Sequence, residues 1–168
     1  LKQINFRLLK ITKSNNKGDT IFSPLSGEVI ELSEVPDSAF RSELLGKGIA
    51  IVPENGEVIA PFDGKIVALF PTNHAIGIKN DFGLEVLIHI GIDTVNMAGD
   101  GFEAHVKMGD MVKQGDKLID FNVQKIKSFG LLDMTMVVVT NLNDFDVIVE
   151  KIKRVKVGEK IIYAKKRE

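Results

Sequence analysis

From Gly18 onward the chain is a succession of short β-branched and aliphatic runs, each cut off by Gly, Pro, Asn or Asp at close spacing. An amphipathic helix would need about ten residues of 3.6 periodicity, and that rhythm is nearly absent here. The pattern predicts an all-β chain, a compact antiparallel β-sandwich or barrel with short helical turns. An internal repeat points the same way: Ser23-Pro24-Leu25-Ser26-Gly27-Glu28-Val29-Ile30 resembles Ala60-Pro61-Phe62-Asp63-Gly64-Lys65-Ile66-Val67. Each copy reads as a Pro-containing turn, a glycine and a strand. Gly-acid pairs at Gly109-Asp110, Gly115-Asp116 and Gly158-Glu159 mark further turns, where glycine supplies a backbone angle other residues resist.

With 168 residues, 44% of them hydrophobic, the chain is sized for one domain with a real core, expected over 18–168. The first seventeen residues differ. Leu1, Ile4, Leu8 and Ile11 follow a helical rhythm among Lys2, Arg7, Lys10, Lys13 and Lys17, with no acid before Asp19. Such a basic amphipathic segment can lie on an anionic membrane surface. Twenty-two basic against 23 acidic residues leave a formal net charge of −1, so no global field favours nucleic acid. The absence of cysteine excludes disulfides, thiolate zinc sites and a cysteine nucleophile within the chain. No apolar run approaches ~18 residues and no signal-peptide pattern is present, so a cytoplasmic location is expected.

The most informative segment is His74-Ala75-Ile76-Gly77-Ile78-Lys79, a turn at Asn80-Asp81-Phe82-Gly83, then Leu84-Glu85-Val86-Leu87-Ile88-His89-Ile90. Turn residues between two β-branched runs signal a hairpin. With Asp81 and Phe82 at the centre of the turn, Asn80 faces Gly83 and His74 faces His89, with Cβ atoms about 4.5–5.5 Å apart. A register slip of one residue would separate the rings. Along the second strand Val86, Ile88 and Ile90 share one face and Glu85, Leu87 and His89 the other. Gly91 follows at once and leaves room beside the imidazole. Two neutral imidazoles side by side can chelate a metal, act as a base pair or pass a phosphoryl group. Metal hydrolysis needs a third ligand; the remaining histidine, His105, and Asp93 show no recognised ligand spacing, so no metal or cofactor is expected. No G-x-x-x-x-G-K-[ST] cradle appears, so ATP is not expected as a bound donor, and none is needed if the phosphoryl donor is itself a protein. A biotin- or lipoyl-type carrier would need a lysine at a hairpin tip, and Lys79 lacks the flanking methionines of such a frame.

At these residues the chain resembles the glucose-type enzyme IIA family of the bacterial phosphoenolpyruvate-dependent sugar phosphotransferase system. The likeness is carried by Gly83-Leu84-Glu85-Val86-Leu87-Ile88-His89-Ile90-Gly91-Ile92-Asp93-Thr94-Val95 and by Thr72-Asn73-His74-Ala75, with Ser23 to Gly27 and Val35 to Phe40 as further landmarks. It implies that His89 accepts a phosphoryl group on Nε2 from the histidine phosphocarrier protein and hands it to a cysteine of a sugar-specific IIB domain. His74 would hydrogen-bond the phosphoryl oxygens, and Thr72 would fix its ring. Phe40, Leu45, Phe70, Leu87 and Val95 would form an apolar docking surface around Gly91, with Asp37 and Asp93 meeting partner arginines. Leu87 departs from the pattern, standing where relatives often carry Phe.

Overall fold

The computed structural model describes residues 18–168, and the basic segment expected over 1–17 lies outside the described residues. Among the described residues fourteen strands run in chain order: β1 (Gly18–Phe22), β2 (Gly27–Glu31), β3 (Lys47–Pro53), β4 (Glu57–Ile59), β5 (Gly64–Leu69), β6 (Ala75–Lys79), β7 (Glu85–Ile92), β8 (Phe102–Ala104), β9 (Met111–Val112), β10 (Lys117–Phe121), β11 (Leu132–Val139), β12 (Phe145–Val149), β13 (Arg154–Val155) and β14 (Lys160–Lys166). Two short α-helices, α1 (Ser38–Arg41) and α2 (Val123–Ser128), and two 3-10 turns complete the described elements.

All the pairings are antiparallel, and they form an eight-stranded sheet β13-β2-β3-β11-β7-β6-β5-β9 with two three-stranded sheets, β1-β14-β12 and β4-β10-β8. The large sheet ends in the two-residue strands β13 and β9 and does not close on itself among the described residues, so the fold is a packed set of sheets rather than a barrel. One aliphatic cluster ties the three sheets together, with Ile21 and Ile162 from one small sheet, Val58 and Ile119 from the other, and Ile51, Ile66, Ile78, Ile88 and Val137 from the large one. Burying each such side chain contributes roughly 1.5–3 kcal/mol, which makes this layer the main source of stability. A second cluster, Leu32, Val35, Phe40, Ala50, Ile92, Met136 and Val138, fills the opposite face of β3, β7 and β11 under α1.

The sequence repeat is a structural one. Ser23 and Ala60 each exchange two backbone hydrogen bonds with a Gly-acid turn: Ser23 N to Glu159 O at 2.7 Å and Gly158 N to Ser23 O at 2.9 Å, Ala60 N to Asp116 O at 2.8 Å and Gly115 N to Ala60 O at 3.0 Å. In each copy the residue before the glycine caps the same turn, Ser26 Oγ accepting from Val157 N and Asp63 Oδ1 from Gln114 N. The copies also bond to each other, Phe22 N to Pro61 O and Ile59 N to Pro24 O. Strands β2 and β5 then start alike, each against a two-residue edge strand.

The hairpin exists, but its register differs by one residue from the expected one: Ala75, not His74, lies opposite His89, and Lys79 faces Glu85. The reason is Gly83, whose φ of +85° adds a third residue to the turn. Asn80 then faces Leu84, and its side-chain oxygen accepts from both Phe82 N and Leu84 N at 3.0 Å, which locks the wider loop.

Candidate functional site

Alternation along β7 is as expected: Val86, Ile88 and Ile90 are fully buried in the main core, while Glu85, Leu87 and His89 face the other side half-buried. His74 reaches the same place despite the shifted register because it stands just outside β6, after Asn73 in the left-handed region at φ +57°. Its carbonyl accepts from Ile90 N at 2.7 Å, which ties this turn to β7 beside His89. The two imidazoles meet edge to face with centroids 5.0 Å apart. Phe40 stands edge-on to His89 at 5.2 Å and Phe70 edge-on to His74 at 5.3 Å, so four rings touch in succession, Phe40 to His89 to His74 to Phe70.

Proton positions follow from the partners. His89 Nδ1 lies 2.8 Å from the carbonyl oxygen of Gly91, an atom that can only accept, so Nδ1 carries the proton. In the neutral ring Nε2 then holds the free lone pair. His74 Nδ1 lies 2.5 Å from Thr72 Oγ1; a hydroxyl donating there leaves Nε2–H of His74 as a free donor. Burial, reinforced by the neighbouring His89, pushes the His74 pKa down to about 4. Burial also lowers that of His89, against the opposing pull of the Gly91 carbonyl, Asp37 and Asp93. Both rings are therefore neutral at pH 7, one offering a nucleophilic nitrogen and the other a hydrogen-bond donor.

The remaining expected residues take varied positions. Leu45, Phe70 and Val95 are exposed, by 39%, 41% and 52%, and suit a docking surface. Leu87 is half-buried against the second cluster. Phe40, expected on the docking surface, is buried: α1 folds it into that cluster at 2% exposure, edge-on to the His89 ring. Asp37 is the reason, because its carboxylate caps α1 by accepting from Ala39 N and Phe40 N at 3.0 and 3.4 Å. Asp93 is exposed with φ +60°, at the start of the 3-10 turn Thr94–Met97. Leu44, 79% exposed next to Leu45, escaped the sequence reading, although two leucines in a row after a capped polar turn were a signal for it.

Lys79 lies within β6, in a salt bridge with Glu85 at 3.5 Å, and not at a loop tip where a carrier lysine would be presented. Glu103, His105 and Asp120 form a group among the described residues whose ligand atoms all lie within 4.8 Å of one another, and it includes neither His74 nor His89. His105 Nε2 is already 2.8 Å from Asp120 Oδ2, and Lys117 Nζ approaches the same oxygen at 3.4 Å, so positive charge is supplied within the sheet. A groove of about 720 Å³ lined by Glu54, Phe102, Glu103 and Asp120 likewise contains neither histidine of the pair. No helix among the described residues is long and apolar enough to cross a membrane.

Comparison with known proteins shows what the chain as a whole is similar to. Residues 19–145 match the family model of the phosphoenolpyruvate-dependent sugar phosphotransferase system, EIIA 1. The chain is 43% identical over 152 residues to the glucose-specific EIIA component of the corresponding system of Oceanobacillus iheyensis, covering 90% of each. It also superimposes on glucose permease IIA from Mycoplasma capricolum with a TM-score of 0.83 at 36% identity, over 88% of this chain and 96% of that one.

Proposed function

Since the chain belongs to the EIIA 1 family of the phosphoenolpyruvate-dependent sugar phosphotransferase system, and is a phosphocarrier of the glucose type, we propose that the phosphoryl group it carries rides on Nε2 of His89. The observation that carries this reading is the hydrogen bond from His89 Nδ1 to the Gly91 carbonyl, which reserves the Nε2 lone pair for attack. That lone pair forms a new N–P bond to the phosphoryl group presented by the histidine phosphocarrier protein. The donor's own N–P bond breaks, its electron pair staying on the donor ring. In the second step a cysteine thiolate of a sugar-specific IIB domain forms an S–P bond, and the His89 N–P bond breaks in turn. The proton stays on Nδ1 of His89 throughout, donated to the Gly91 carbonyl oxygen.

His74 contributes a neutral, preorganised Nε2–H to the phosphoryl oxygens, oriented by Thr72. Such a donor stabilises the negative charge in transit without competing as a nucleophile. Phe70 stands edge-on to His74, and with the exposed Leu45 and Val95 it is assigned to the apolar docking surface, where Asp37 and Asp93 would offer negative charge to a basic partner. Docking of a partner on this surface would bring the transferred group onto the rings.

The test is phosphorylation by phosphoenolpyruvate with general enzyme I and the histidine phosphocarrier protein. His89→Ala is expected to take no phosphate. His74→Ala is expected to take phosphate but to pass it to a IIB domain about 10²–10³-fold more slowly, the range for removing one charge-stabilising donor. Equal loss of acceptance in both variants contradicts the assigned roles.

A further inference from the structure

We infer that Thr94 is a positioning residue for this transfer, the one that sets which nitrogen of His89 carries the proton. The inference rests on the reading that His89 is the phosphoryl acceptor. Thr94 is fully buried, and its hydroxyl donates to the carbonyl of Ile90 at 2.5 Å, four residues back. Between those two residues the backbone twice enters the left-handed region, Gly91 at φ +76° and Asp93 at φ +60°, while β7 stays paired as far as Ile92 opposite Leu132. The first of these angles breaks the strand's alternation, since Ile90 lies in the main core while Ile92, two residues on, packs into the second cluster. The facing strand shows the same disturbance, its register shifting between Leu132 and Thr135 opposite this point. This is a bulge beside a functional group, of the kind that re-aims a backbone or side chain.

What the bulge aims is the Gly91 carbonyl, the acceptor for His89 Nδ1. Thr94 holds it from two sides. The hydroxyl clips the loop closed on Ile90, while the methyl occupies the space beside Gly91: a Cβ built at position 91 would lie 2.4 Å from Thr94 Cγ2 and 2.8 Å from the Leu132 carbonyl oxygen. The peptide that follows Gly91 thus has little freedom to rotate, and its carbonyl stays on the imidazole. If the clip opens, the carbonyl can turn away, and the neutral ring of His89 is then free to carry its proton on either nitrogen. The fraction with Nε2 protonated has no lone pair there and cannot attack. A hydroxyl that never touches the reacting atoms thereby governs the nucleophile.

Thr94→Val removes the hydroxyl at nearly constant shape, and Thr94→Ser keeps the hydroxyl while removing the methyl. Nitrogen-15 NMR of the ring reads the tautomer directly in the free protein, without any transfer reaction. The expected result is a single Nδ1–H tautomer of His89 in the wild type and in Thr94→Ser, and a mixture in Thr94→Val. Acceptance from the phosphorylated histidine phosphocarrier protein should fall about 10- to 100-fold in Thr94→Val, as expected when a reacting group is misplaced, and be restored by Thr94→Ser. Thermal unfolding of each variant is followed in parallel, with the NMR and rates recorded well below the midpoint. Thr94→Ala serves in the same comparison should Thr94→Val fail to fold. Loss of stability with the tautomer and the acceptance rate unchanged would overturn the proposal, and so would a serine variant that behaves like valine. If the wild type accepted no phosphoryl group at all, the acceptor reading would fail while the tautomer measurement still decided the role of Thr94.

Discussion

The turn at Pro24–Gly27 and the turn at Pro61–Gly64 are built from the same parts, yet the chains leaving them reach the histidine pair by different routes. After the first, β2 runs into a 3-10 turn and the helix α1, which delivers Asp37 and Phe40 to His89. After the second, β5 runs into the turn that carries Phe70, Thr72 and His74. The repeated turns supply a common frame, while the segments that follow the two copies differ, one bringing a capped helix to His89 and the other the turn of Phe70, Thr72 and His74. The lesson is that the scaffold's symmetry ends where the site begins.

The two phenylalanines are the sharpest way to break this comparison. Each stands edge-on to one histidine, but Phe40 is 2% exposed and Phe70 41%. Phe40→Ala is expected to cost about 3 kcal/mol of stability, the low end for emptying a buried aromatic site. Phe70→Ala should cost under about 1 kcal/mol and act instead on affinity for the donor. Denaturant midpoints and binding titrations of the two variants check the split, and equal destabilisation would refute it.

The two glycines that open the strands test whether the copies are equivalent as scaffolding. A Cβ at Gly27 would sit 1.9 Å from the Val52 carbonyl oxygen, and one at Gly64 2.5 Å from that of Lys79. Both face backbone, which cannot swing aside. Gly27→Ala should destabilise by about 3 kcal/mol and Gly64→Ala by about 1–2 kcal/mol, the overpacking range, measured by chemical unfolding. A reversed order would show that the copies differ in a way their hydrogen bonds do not reveal.

Acidity separates the two routes again, with a smaller effect. The His74 pKa is lowered to about 4 in the folded protein against an ordinary 6.5, so between those values the unfolded chain binds more protons. Stability contributed by the neutral ring is full above pH 6.5 and is lost as pH falls toward 4, and the lowered His89 acts in the same direction. His74→Gln should flatten this slope in a series of unfolding curves. Asp37 works oppositely, pulling the His89 pKa up, so Asp37→Asn should keep the helix cap and let His89 titrate lower still by NMR.

Much of this was legible in the sequence, and the illegible part has a physical pattern. The repeat, the all-β architecture and the sharing of one strand face by Leu87 and His89 follow from turn chemistry and period-two alternation. The hairpin register did not, because Gly83 could end a two-residue turn or extend it to three, and only the Asn80 side chain decides. Phe40 reads as surface or core until the Asp37 cap folds α1 over β3 and β11. The His74 ring reached its partner through the left-handed Asn73, and the Gly91 carbonyl reached His89 through a bulge. Both are single backbone angles that no hydrophobic pattern encodes.

The central claim is most directly tested by locating the phosphate. Wild-type protein phosphorylated through the histidine phosphocarrier protein would be digested under alkaline conditions that preserve phosphohistidine, mapped by mass spectrometry and examined by NMR for the substituted nitrogen. One phosphoryl group on Nε2 of His89 is the result the geometry predicts. Phosphate on His74 or His105, or on Nδ1 of His89 where the Gly91 hydrogen bond stands, would contradict it.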